Sequence, residues 1–260
     1  MGRDPSIGYN LLMKLLRHII TIGTCCSLPM LLIACGNSST TQGESEATKT
    51  LSSSLKASVA KGTMHVVAVT TNGKQVQTVS ADIGPDSASE TIRNSSGGGE
   101  VNIIVSGGIA YVQASPSTLQ DLLGLTIVAS TSAAGQWISV TSSDPPFQLI
   151  DHFLTIDAAV NPYLPSPSSA VLKPARHVKG IDGTVQPVTG AYNDSGAAAH
   201  VSGVATTFIN TGTNLLQGGS FQSASKNPSV TTLAVYSKWG VPVSVTAPTS
   251  SLSYKTLFSQ

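Results

Sequence analysis

Two short glycine-bearing turns set tight limits on what this chain can fold into. In TMHVVAVTTNGKQVQTVSADIG, the pair Asn72-Gly73 separates two β-branched runs. In EVNIIVSGGIAYVQAS, Gly107-Gly108 lies between Ile103–Val105 and Ile109–Val112. A two-residue hairpin loop of type I′ needs positive φ at both central residues, which glycine and asparagine tolerate. Each pair therefore predicts an antiparallel hairpin. With SASETIRNS as a middle strand, residues 63–114 read as a meander of about five strands.

The period then changes. In ASPSTLQDLLGL, Ser115 suits an N-cap, Pro116 the first helical position and Gly124 the stop, while Leu119, Leu122 and Leu123 share a face. Thr126 to Ala134 predicts a further helical turn, and GQWISV predicts a strand from Trp137. SSDPPFQLIDHFLTIDAAVNP predicts one helix from an Asp144 N-cap to about Asn161, where Pro162 ends it. Phe147, Ile150 and Leu154 lie on one side of that helix. After PYLPSPSS the strand pattern returns: AVLKPARHV, GTVQPVTGAY behind an Asp182-Gly183 turn, AAHVSGVATTFIN, LLQGGSFQSAS and SVTTLAVYSKWG. Ahead of the meander, Leu51, Leu55 and Val59 predict a short helix stopped by Gly62. Strands, a helical insert and more strands define an α+β class, with helices layered on an antiparallel sheet.

The N-terminal stretch reads differently. From Met13, MKLLRHIITIGTCCSLPMLLIAC has a basic head at Lys14 and Arg17, then a nearly uncharged run from Ile19 to Ala34. That is the layout of an export signal. As a helix the run spans about 24 Å, short of a bilayer core of about 30 Å, and Pro29 interrupts it. Leu32-Ile33-Ala34-Cys35 matches the bacterial lipobox, so Cys35 is expected to become the lipidated N-terminus after cleavage. Met13 is the better start, residues 1–34 the signal peptide, and 35–51 the lipidated cysteine with a Ser/Thr-rich tether. Residues 52–260 then form a single domain.

Cleavage discards Cys25 and Cys26, so the domain has no disulfide and no cysteine metal site. Losing Arg3, Lys14, Arg17 and Asp4 with the signal moves the formal charge from +1 to −1. A surface so near neutrality argues against nucleic acid as a partner and against docking on anionic lipid by charge, so that attraction to lipid must come from apolar surface.

Signatures of chemistry are missing. The chain has no HExxH, no P-loop, no dinucleotide-binding glycine fingerprint and no GxSxG elbow. Gly97-Gly98-Gly99 lies between strands and reads as a loop. His65, His152, His177 and His200 have no metal-ligand spacing. Asp151-His152 reads as a solvated helix face, and Trp137 and Trp239 as core anchors before ligand platforms. No cofactor, catalytic residue or metal is expected.

GGIAYVQASPSTLQDLLGL followed by GQWISV, the closing VYSKWGVPVSVTAP and the lipobox together resemble the LppX/LprA/LprF/LprG lipoproteins of the bacterial envelope, which are LolA-like. The resemblance implies a strongly curved antiparallel half-barrel whose concave face is covered by helices. It also implies a non-enzymatic protein that binds or carries lipid or acyl chains in an apolar cavity between sheet and helices. On that reading Leu119, Leu122, Leu123, Phe147, Ile150, Phe153 and Leu154 line the cavity. The alternatives are a filled core in an anchored interaction module, and an exported hydrolase without a readable motif. The proline-dense break at 161–169 departs from the family pattern, as does LLQGGSFQSAS, which alternates less cleanly than a central strand should.

Overall fold

The computed structural model describes residues 45–97, 99–194, 201–225 and 229–259. The expected signal peptide, Cys35, the tether up to residue 44, Gly98 and His200 lie outside them. The first element, α1 (Glu46–Val59), opens earlier than the apolar spacing predicts, inside the stretch read as tether. Ser45 explains the early start: its side chain accepts the Thr48 N–H as an N-cap.

The meander is present as β1 (Met64–Asn72), β2 (Gln75–Ile83), β3 (Ser87–Asn94), β4 (Glu100–Ser106) and β5 (Ile109–Gln113). The second hairpin turns on Gly107 and Gly108, both at positive φ, as type I′ requires. The first differs by one residue. Asn72 pairs with Gln75, so the loop is Gly73-Lys74, and of these only Gly73 has positive φ. A glycine in the first loop position is the type II′ pattern.

Helices α2 (Pro116–Leu123) and α3 (Ile127–Ser132) precede β6 (Ile138–Thr141), followed by α4 (Pro145–Phe153) and α5 (Ile156–Val160). The single helix expected over 144–161 is thus two. Thr155 breaks it, because its hydroxyl caps α5 by accepting the Ala158 N–H and also donates to the His152 carbonyl. Asp144 holds the N-cap position of α4, but its buried carboxylate turns back to accept from the Thr141 N–H and hydroxyl.

The second half contains β7 (Val171–Leu172), β8 (Arg176–Val178), β9 (Ile181–Asp194), β10 (Val201–Asn210), β11 (Leu216–Ser223) and β12 (Val230–Ser237). It ends in β13 (Leu252–Ser253) and α6 (Tyr254–Phe258). AVLKPARHV forms two short strands rather than one. The β8–β9 turn is Lys179-Gly180, not Asp182-Gly183, since Val178 pairs with Ile181.

The thirteen strands of the described residues join one sheet in the order β13-β6-β5-β4-β3-β2-β1-β12-β11-β10-β9-β7, with β8 also on β9. The sheet is curved, mostly antiparallel and not closed on itself, and the class is α+β. β1 is the joint between the halves: Val66 faces Ala81 on one side and Tyr236 on the other. The glycine-rich β11 is central, between β10 and β12. A Cβ on Gly219 would overlap Tyr163, so glycine there admits the ring that covers the strand.

Candidate functional site

By register, one face of the sheet carries Met64, Val66 and Ala68 on β1, Ile83, Ala81 and Val79 on β2, and Val105, Ile103 and Val101 on β4. Two separate hydrophobic cores form on this face. The first joins β4, β5 and β6 to α2, α3, α4 and α6. The second joins β1, β12 and the neighbouring strands to α1, α5 and the 3-10 turn Asn161–Tyr163. A third, small cluster of Ile181, Val185 and Phe208 lies on the opposite face.

The residues expected to line a cavity belong mostly to the first core. Leu119, Leu122, Leu123, Phe147, Ile150 and Leu154 are all buried in it, packed among Val101, Ile103 and Val112. Phe153 is half-buried and meets the His152 ring edge-on at 5.7 Å. Phe147 and Leu154 also line a cleft described below. Trp239 is a core anchor: its indole donates to the Leu216 carbonyl at 2.7 Å and its ring packs edge-on to Tyr236. Trp137 is half-buried at the start of β6. Burial pushes the Tyr163 and Tyr236 phenols well above the ordinary tyrosine range, so both stay neutral.

The open part of this face lies between the two cores. Ala68 and Thr70 on β1, Val79 and Gln77 on β2, and Glu90, Ile92 and Asn94 on β3 are each only half-buried. Their neighbours Val101 on β4 and Ala234 on β12 are sealed. Along β3 the strip runs from Ala88 to Asn94, about 20 Å at strand rise. One end meets a cleft of about 680 Å³ with a floor of Ile83, Ala88, Val105, Phe147 and Leu154. Its rim carries Asp86, Asp151 and Asp157, and no lysine, arginine or histidine lines it. At the other end a polar band crosses the strands, with Thr70 and Thr232 in hydroxyl contact at 3.0 Å and Gln77 opposite Asn94.

Glu90 is the group that sequence reasoning passed over. It replaces an apolar residue in the row Ala88–Glu90–Ile92, facing Ala81 and Ile103 across the ladders. Removal from water pushes its carboxyl up to about 7. The alternation of SASETIRNS held the signal: a glutamate in phase with alanine and isoleucine faces the covered side.

Among the described residues no three His, Cys, Asp or Glu side chains are placed to hold a metal ion. His65 pairs with Asp82 at 2.8 Å on the face away from both cores. Among the described residues no helix is long and apolar enough to cross a membrane. The strip mixes apolar and polar side chains, with Ala68, Val79 and Ile92 beside Thr70, Gln77, Glu90 and Asn94.

No protein-family model matches the chain, and no curated protein aligns with it significantly. Among solved structures, the complex of Pseudomonas aeruginosa MucA and MucB aligns at 10% identity with a TM-score of 0.35. The alignment covers 75% of this chain, which spans 58% of that one. At this distance the likeness carries no argument about ligand or partner.

Proposed function

We propose that the chain is an exported, non-enzymatic lipoprotein, held to the outer side of the bacterial cell membrane by an acylated Cys35, that binds or carries lipid or acyl chains between sheet and helices. The finer fold in this reading is a LolA-like half-barrel with its helices on the concave face. The observation that carries it is the half-covered strip over β1–β3, where two helix-capped cores stop short of each other. A lipid tail laid there would complete the cover that the helices leave unfinished. The lipobox at Leu32–Cys35 supports the anchor.

The second reading, an anchored interaction module with a filled interior, draws on the burial of Leu119, Leu122, Leu123 and Ile150. One experiment separates the two. The full chain is purified from membranes and extracted with organic solvent, and the released lipid is identified by mass spectrometry. The lipid-binding reading expects non-covalent lipid in a fixed ratio to protein, and its repeated absence favours the filled module. In parallel, Cys35→Ser is expected to lose palmitate labelling and leave the membrane fraction. If it behaves as the unaltered chain does, the anchor is not Cys35.

A further inference from the structure

We propose that Glu90 and the amide pair Gln77–Asn94 make the strip selective, so that it takes amphiphiles whose polar head donates hydrogen bonds and carries no negative charge. This rests on the lipid-binding reading and goes past it by naming the head group. Glu90 has apolar residues on all four sides within the sheet: Ala88 and Ile92 along β3, Ala81 and Ile103 across it. Neither the His65–Asp82 nor the Arg93–Glu100 ion pair includes it. A carboxyl in an apolar row costs stability unless something hydrogen-bonds to it.

Two positions further along β3, Asn94 faces Gln77 across the ladder. The Gln77 Oε1 and Asn94 Nδ2 atoms are both sealed from solvent and without a hydrogen-bond partner. Buried amide atoms are almost always satisfied in folded proteins, so an orphaned pair beside a half-open strip points to a missing partner. Gln77 offers an acceptor for a hydroxyl or ammonium, and Asn94 a donor for a carbonyl.

Charge excludes the opposite class. By register this face of β1–β4 carries no lysine, arginine or histidine, and none lines the adjoining cleft with its aspartate rim. A fatty-acid carboxylate or a phosphate head would meet carboxylates and no cation, and like charges brought together in a water-poor site repel. An alcohol or an ammonium head finds acceptors in the Glu90 carboxyl and the Gln77 amide oxygen.

The test uses the full chain in a non-ionic detergent and an equimolar mixture of tetradecanol, tetradecylamine and tetradecanoate at pH 8, with bound species counted by native mass spectrometry. The alcohol and the amine are expected to outnumber the carboxylate by at least about tenfold. Glu90→Gln is expected to bring the carboxylate to within about twofold of the alcohol. Equal retention of all three by the unaltered chain overturns the selectivity while leaving lipid binding intact. Retention of none overturns both. Discrimination that survives unchanged in Glu90→Gln overturns the role of Glu90.

Discussion

At the scale of single residues, Glu90 ties stability to pH. Its carboxyl titrates near 7 in the folded chain against 4.5 when free, so the native state holds the proton more tightly than the unfolded chain. The stability this gives is complete below about 4.5 and is lost as pH rises through 7, by at most about 3 kcal/mol. Urea denaturation at pH 5 and pH 8 is expected to show that loss in the unaltered chain. Glu90→Gln removes the Glu90 share of it. Equal pH dependence in both proteins would mean the carboxyl is not shielded from water. Glu90 was legible in the sequence, because strand alternation alone puts it in the apolar row. The Asp144 carboxylate was not, because its choice of Thr141 over its own helix depends on how β6 delivers that threonine.

At the scale of elements, local chemistry was readable and its exact phase was not. Ser115 and Gly124 bound α2 as their residue types predict, with Gly124 in the left-handed region. The first hairpin slipped by one residue, since Gly73-Lys74 satisfies a II′ loop as well as Asn72-Gly73 satisfies I′. The glycines of β11 looked unsuited to a central strand until Tyr163 supplied the reason, a contact between residues far apart in sequence. The same tertiary dependence hid the open strip: the helical leucines pack in a core, and the strip lies where the two cores stop short of each other. Leu122→Trp should therefore act by overpacking, costing about 1–3 kcal/mol in chemical denaturation with little change in lipid recovered. Ile92→Trp, on the strip, should do the reverse, lowering recovered lipid with a smaller change in stability. If Leu122→Trp alone depletes lipid, the cavity lies where the leucine spacing first put it.

At the scale of the whole molecule, the order strands–helices–strands was legible, whereas the joining of both halves through β1 and β12 was not, because no local signal specifies a pairing between residues 65 and 237. Among the described residues the strands that border the sheet are short, two residues in β7 and β13 and three in β8, which limits the edge open to another chain. Native-state hydrogen exchange is expected to rank these strands accordingly. The amides of Val66–Thr70, held on both sides, should exchange slowest, and those of Val171–Leu172 and Leu252–Ser253 fastest. Comparable protection throughout would mean that the halves do not unfold around a common centre.

The β1–β12 pairing also has a consequence for biogenesis. A chain that emerges N-terminus first presents β1 with one neighbour in place and the other still unsynthesised. Until β12 arrives, β1 is an open seam in a half-built wall, the kind of edge that chaperones guard.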